Sequence, residues 1–325
     1  MTSSLSYDVL DLRHFSASAL RPLLDAEAAI WSERLHWDYR ASSRLLLQYL
    51  DNRLLPGYVA VENNQITGYT FCVYEETKAV IGDLFAVPAL SATAESIQHT
   101  LLKHQLETLL NSPHIDRVES QMLLHPSGNY SELFVQAGFT LFRRLFLVQR
   151  LNPSMATIRV EMPSDLELRP WRDDDLSSAA RLIAIAYRGH TDSAINDQYR
   201  TLHGSQRFLN NIVRYAGCGI FSQAASHVVV DRSRREVVAL VLGSRVSAQS
   251  GHVTQLCVHP DYRRLGIARG LLNLAASHFV RLGANEISLT VTEANVDALD
   301  LYESEGYECR HTFDATVWQR PNTVS

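Results

Sequence analysis

The stretch Val258-His259-Pro260-Asp261-Tyr262-Arg263-Arg264-Leu265-Gly266-Ile267-Ala268-Arg269-Gly270 decides how the rest of the chain is read. It ends an apolar strand, Leu256-Cys257-Val258, at a proline, turns through two arginines, and opens a helix on small residues. The helix is well specified: Ala268, Leu271, Leu272, Ala275, Phe279 and Leu282 recur at helical spacing, and Gly283 supplies a C-terminal cap. Gly266 and Ala268 allow close approach of a ligand, so the first N–H groups of the helix can point at an anion. Arg263 and Arg264 add charge suited to a phosphate. A plainly capped helix with two solvated arginines fits the same residues. The Gly-Lys-Ser/Thr ending of a Walker loop is absent, and so is any G-x-G-x-x-G.

Working outward, the surroundings of this stretch occur twice. Val228-Val229-Val230, a polar turn and Val237–Leu242 form one hairpin pattern; Tyr58–Val61, a polar turn and Ile66–Val73 form another. Each is followed by a strand that runs into proline, Leu84-Phe85-Ala86-Val87-Pro88 and Leu256-Cys257-Val258-His259-Pro260, and then by a long helical pattern, Glu95–Leu110 and Gly266–Leu282. Leu133–Phe139 answers Leu301–Tyr307 at an offset of 301 − 133 = 168 residues. A period of that length is a duplicated domain and not a solenoid unit. Alternating strands and helices predict two α/β domains, each around one mixed sheet. The boundaries read as residues 1–152, a linker over 153–165 that holds Pro153 and Pro163, and residues 166–325.

A length of 325 residues suits two domains, and 46% hydrophobic with 20% charged residues excludes a disordered or collagen-like chain. The net charge is −5, and residues 1–152 carry 12 basic and 16 acidic side chains, which argues against a nucleic-acid partner. No apolar run is long enough for a membrane span, and Met1–Leu12 lacks the character of a signal peptide. Cys72, Cys218, Cys257 and Cys309 are scattered without ligand spacing, so the expectation is a cytoplasmic protein with free thiols and no metal.

At these residues the chain resembles the GNAT superfamily of acetyl-CoA-dependent N-acyltransferases. The family's R/Q-x-x-G-x-G/A pattern is matched by Arg263, Gly266 and Ala268. Its later pattern is matched by Asn295, Ala298, Leu301, Tyr302, Gly306 and Tyr307. Leu168-Arg169-Pro170-Trp171 looks like the family's first strand, so the likeness covers about Leu168–Gln319. The resemblance implies two tandem GNAT-like domains, an arrangement similar to that of the mycothiol synthases, with acetyl-CoA as co-substrate. It implies that Leu256-Cys257-Val258 lie along the pantetheine arm, that Arg263-Arg264-Leu265-Gly266-Ile267-Ala268 cradle the pyrophosphate, and that Asn295 touches the cofactor. Tyr302 would protonate the departing thiolate. Its place beside Ala298 and Leu299 suits a plain core position as well. Cys257 reads as a small buried hydrophobe rather than a nucleophile.

The proton acceptor is less defined. Strict alternation puts His252, Thr254, Leu256 and Val258 on one strand face, and many relatives carry a glutamate on this strand where none occurs here. His252 and Glu293 are the two candidates, and a water chain is a third route. In the first copy the chain after Val87-Pro88 has neither arginine nor glycine, Phe134 replaces Tyr302, and Ser127 replaces Asn295. That copy is expected to keep the core and to lack the cofactor. Trp31, His36, Trp37, Asp38 and Tyr39 form a polar–aromatic group suited either to a cleft wall or to helix packing. The expected activity is acetyl transfer to a small-molecule primary amine. A protein N-terminus as acceptor, or a non-catalytic acetyl-CoA sensor or assembly module, are the alternatives; the sequence gives no oligomeric state.

Overall fold

The computed structural model describes residues 7–321 except Arg159 and Ala216. The elements in chain order are β1 (Asp8–Asp11), α1 (Ala17–Leu35), α2 (Arg40–Asp51), β2 (Gly57–Glu62), β3 (Gln65–Glu75), β4 (Lys78–Ala86), α3 (Ala94–Asn111), β5 (Arg117–Gln121), α4 (Ser131–Gln136) and β6 (Thr140–Arg150). The second series is β7 (Leu166–Pro170), α5 (Leu176–Ala186), α6 (Asp192–Ile195), α7 (Leu202–Arg214), β8 (Ile220–Phe221), β9 (His227–Asp231), β10 (Glu236–Arg245), β11 (Ser250–Val258), α8 (Ile267–Arg281), β12 (Glu286–Thr292), α9 (Val296–Ser304) and β13 (Glu308–Gln319). The chain forms two compact units, one built mainly on Ser42–Arg143 and the other on Arg144–Thr312.

In the first unit the strand order is β1-β2-β3-β4-β5 and then β13, whose residues Ala315–Gln319 pair with Gln121–Arg117. The β2–β3 hairpin closes on Asn63 and Asn64, both left-handed with φ +50 and +63, the pair of conformations a tight two-residue hairpin needs. Helix α3 lays Ile97, Leu101, Leu102, Leu106 and Leu109 on one sheet face; Leu20, Leu24, Leu47 and Leu50 of α1 and α2 cover Val59, Tyr69 and Phe85 on the other. The closing strand therefore comes from the end of the second copy. The second unit is completed in the reciprocal way: Arg144–Arg150 of β6 pairs antiparallel with Thr292–Glu286 of β12, ahead of β11, β10, β9 and β7. The chain segment 34–41 also belongs to this second unit.

The strands of the second unit are buried on both faces, and β9 and β10 accordingly read as nearly unbroken apolar runs. Leu271, Leu272, Ala275 and Phe279 of α8 cover Val229, Val241, Val253 and Leu289 on one face. Ala179, Ile183, Leu209 and Ile212 of α5 and α7 cover Val228, Leu240, Leu242 and Cys257 on the other. The register of β10 on β11 shifts at Leu242/Gly243: Leu242 faces Gln255 while Gly243 faces Val253, leaving Thr254 as an extra residue. This bulge corrects the strict alternation expected of the strand. Val253 joins Leu256 and Val258 on the α8 face, and Cys257 faces α5 and α7. The segment 153–165 is partly structured, with a 3-10 turn over Pro153–Thr157 and Val160 seated where a Cβ on Gly270 would come within 2.6 Å of it.

Candidate active site

The parallel pairing of β11 with β12 runs from Ser250–Glu286 to Val253–Leu289 and stops there. Beyond that point the two strands line a cleft of about 510 Å3, with Val253–Val258 on one side and Leu289–Val291 on the other. Past the end of β11 the chain turns through Arg264 and Gly266, both left-handed at φ +65 and +75, and enters α8. Gly266 is the N-cap residue, and no side chain caps the helix. A Cβ on Gly266 would meet nothing within 4 Å, so the N–H groups of the first turn open onto space beside the cleft. Among the described residues no side chain hydrogen-bonds the backbone of Gln255, Leu256 or Cys257, which face the same cleft.

Of the residues the sequence singled out for the cofactor, Leu256, Cys257, Val258, Arg263, Arg264, Gly266, Ile267, Ala268, Asn295 and Tyr302 all line this cleft. Leu265 does not; it is 54% exposed. The two arginines are tied down: the Arg263 guanidinium donates to the Val258 and Ala186 carbonyls at 3.3 and 3.1 Å, and Arg264 pairs with Asp297 at 2.7 Å. The anion-binding capacity of the loop therefore rests on backbone N–H groups more than on free guanidinium charge. Asn295 caps α9 by accepting from the Ala298 N–H.

Tyr302 is buried, its ring 5.8 Å from that of Tyr307, and its hydroxyl has no hydrogen-bond partner among the described residues. Burial, and then the charge of Asp192, push its pKa up, with Arg144 pulling the other way, so it stays a protonated donor at neutral pH. Burial pushes the Cys257 thiol up to about 12, which leaves it un-ionised and unsuited to nucleophilic attack.

The two candidate bases are not brought to the cleft. His252 lies in a buried stack, 5.0 Å from the Trp37 ring and 6.1 Å from Phe146, with Nδ1 at 2.9 Å from the Ser288 hydroxyl. Burial pulls its pKa down to about 4. The physical cause is the Thr254 bulge, which puts His252 out of phase with Leu256 and Val258. Glu293 is exposed and is not among the residues that line the cleft. The aromatic group of residues 31–39 is divided: Trp31 donates to Glu27 in the first unit, while His36 meets Glu286 and Trp37 covers His252 in the second.

What the sequence did not bring forward is the polar wall contributed by α5–α7, β6 and β12. Tyr187 stacks on Tyr199 at 4.4 Å, and Gln255 donates to the Tyr187 hydroxyl at 2.9 Å. Asp192 accepts from the Thr292 hydroxyl, and its own N–H donates to His190 Nδ1 at 3.1 Å. Arg144 reaches Thr290 at 3.2 Å. A short polar turn such as Thr191-Asp192-Ser193 carries no motif; the charged pair Arg143-Arg144 inside the apolar run Leu141–Val148 was the one visible signal. Among the described residues no group of three or more His, Cys, Asp and Glu could hold a metal, and no helix is long and apolar enough to cross a membrane.

The corresponding places in the first unit are filled by its own side chains. The Glu62 carboxylate accepts the N–H groups of Leu90 and Ser91 at 2.7 and 3.1 Å in the loop after β4. His125 meets the Leu84 carbonyl at 2.7 Å, and Asp314 accepts the Gly128 N–H and both serine hydroxyls at the start of α4.

Residues 193–307 match the model of the acetyltransferase (GNAT) family. That stretch is about a third of the chain, and over it the class is that of a GNAT acetyltransferase domain. Two curated relatives are mycothiol acetyltransferases. That of Geodermatophilus obscurus is 39% identical over 70 residues, 22% of this chain and 22% of the relative. That of Propionibacterium freudenreichii subsp. shermanii is 24% identical over 192 residues, 57% of this chain and 59% of the relative. The matched stretches thus span less than two thirds of either. Among solved structures, a GCN5-related N-acetyltransferase from Sphaerobacter thermophilus superposes with a TM-score of 0.68 at 16% identity, covering 98% of both chains. A tandem GNAT protein from the clavulanic acid biosynthesis pathway superposes at 0.58 with 12% identity, over 96% of this chain and 98% of that one. The fold of the chain is therefore similar to that of these two proteins over nearly its whole length.

Proposed function

We propose that this protein is an acetyl-CoA-dependent N-acetyltransferase with one active site, in the second unit, and that it acts on the primary amine of a small molecule. The observation that carries this reading is the uncapped N-terminus of α8 at left-handed Gly266, opening beside a cleft whose far wall presents the unpartnered Tyr302 hydroxyl. The helix N-terminus suits the pyrophosphate, and the unpaired flank of β11 past Val253 suits the amide-bearing pantetheine arm. The names of the two relatives favour a small-molecule acceptor over a protein N-terminus.

In the reaction the neutral amine nitrogen attacks the thioester carbonyl carbon, the C–S bond breaks, and Tyr302 gives its proton to the departing thiolate. The amine's surplus proton needs an acceptor. The cleft holds two carboxylates, Asp192 and Asp297, and one histidine, His190; Asp297 is exposed and paired with Arg264, and His190 Nδ1 already accepts the Asp192 N–H, so the role falls to Asp192. Asp192 takes the place that His252 and Glu293 held as candidates. The first unit supplies no second site, since Glu62, His125 and Asp314 already satisfy the polar groups a cofactor would use.

Isothermal titration of acetyl-CoA into the full chain is expected to give one site per chain. Tyr302→Phe is expected to bind acetyl-CoA with unchanged affinity and to lose roughly 100-fold in kcat, the lower range for a general acid. Unchanged turnover would remove the role of Tyr302; two sites would overturn the reading of the first unit, and no binding would overturn the transferase itself.

A further inference from the structure

Arg144 is 9% exposed, yet it has no carboxylate within 4.0 Å among the described residues. Its Nη2 donates to the Thr290 hydroxyl, while its buried Nε has no partner among the described residues. Guanidinium stays charged in any protein environment, and a buried charge without a counter-ion is among the most costly arrangements in a fold. The other fully buried arginine shows the usual solution: Arg117 pairs with Glu119 at 2.6 Å. Arg144 lines the cleft, so an anion that enters the cleft can reach it.

Its position tells which ligand supplies that anion. Leu145 and Leu147 of β6 pack with α8, so by alternation Arg144 projects to the opposite face, the one covered by α5 and α7. The phosphate-type site at Gly266 opens α8, the helix whose body covers the other face of the sheet. On the Arg144 side stand Asp192 and Tyr199, the acceptor wall. The charge of Arg144 acts on both Tyr302 and Tyr199, which sets it near the reacting end of the cleft.

We propose that Arg144 is an acceptor-specificity residue, and that the amine substrate carries a carboxylate which Arg144 pairs with, making the acceptor an amino-acid-like molecule and not a polyamine or a neutral amino-sugar. This deepens the transferase reading and rests on it. It also gives the first copy a chemical part in the reaction, because its last strand delivers the residue.

The test measures thiol release from acetyl-CoA by the full chain with matched amines: a set of amino acids, each beside its carboxamide, with spermidine and glucosamine as carboxylate-free controls. The expected result is that the carboxylate form of the preferred amine exceeds its carboxamide by about tenfold or more in kcat/KM, the scale of one charge-assisted hydrogen-bonded pair. Arg144→Gln should bring that ratio close to one, mainly through KM, with acetyl-CoA affinity by titration unchanged. Arg144→Lys should keep part of it. The Arg144→Gln melting temperature should not fall, since an uncompensated charge is removed. Turnover confined to carboxylate-free amines, or a ratio unchanged in Arg144→Gln, would overturn the proposal and leave the transferase standing. Acetyl-CoA bound but thiol released with none of the amines would instead overturn the transferase reading on which it rests.

Discussion

Gly266 holds a left-handed backbone with open space where its Cβ would be, so a substitution there meets strain but no clash. Gly266→Glu should cost about 1–2 kcal/mol in backbone conformation and place a carboxylate at the uncapped N–H groups of α8. The expected outcome is a folded protein whose acetyl-CoA affinity falls by roughly tenfold or more on titration, by the anion-repelling logic of a helix N-terminus. Undiminished affinity would remove the loop from the cofactor site. That Gly266, Asn295 and Tyr302 line one cleft was legible because their patterns are local: a turn, a cap, and a hydroxyl at fixed spacing. Asp192 was not, because what distinguishes it is the Thr292 hydroxyl 100 residues away.

At the scale of elements, the site depends on how closely α8 approaches the sheet. A Cβ on Gly251 would come within 2.6 Å of the Phe279 ring, and one on Gly243 within 3.0 Å, so these two glycines let a fully buried phenylalanine rest on β10 and β11. Gly251→Ala should cost about 1–3 kcal/mol through overpacking, read as a lower urea midpoint. Phe279→Leu in the same chain should recover part of that loss; strict additivity of the two would show that the contact is not the cause. The helices and hairpins were readable from periodicity, and α8 at Ile267–Arg281 follows the expected Gly266–Leu282 closely. The Thr254 bulge was not readable. It has no signature of its own in the strand, and one extra residue inverts which side chains enter the cleft.

For the molecule as a whole, two fully buried histidines tie stability to pH. Burial holds His252 and His227 down at about 4, against an ordinary value near 6.5. Both are neutral in the fold, while the unfolded chain takes up protons below about 6.5. Their contribution is therefore complete above that pH and is lost progressively as the pH falls toward 4, on the order of 3 kcal/mol for His252 and less for His227, where a smaller burial effect is joined by the charge of His278. Denaturation midpoints at pH 7.5, 5.5 and 4.5 should decline in that order, and His252→Leu should flatten the decline. A midpoint constant across this range would show that these side chains are protonated in the fold without penalty.

The amino-acid order alone carried the duplicated α/β plan, the turn and helix opening around Gly266, the tyrosine at 302 and the lack of matching groups in the first copy. Apart from the duplication, which is read from a repeat at an offset of 168 residues, each of these is written in residues within about one element of one another, where periodicity, capping and backbone permissiveness act. Only the tertiary structure decided which strands close each sheet, that His252 is sealed away from the cleft, and that Asp192 and Arg144 stand inside it. Those outcomes depend on pairing between β6 and β12, some 140 residues apart, and on one bulge. Burial and counter-ion balance are properties of neighbours in space, and a linear pattern does not carry them.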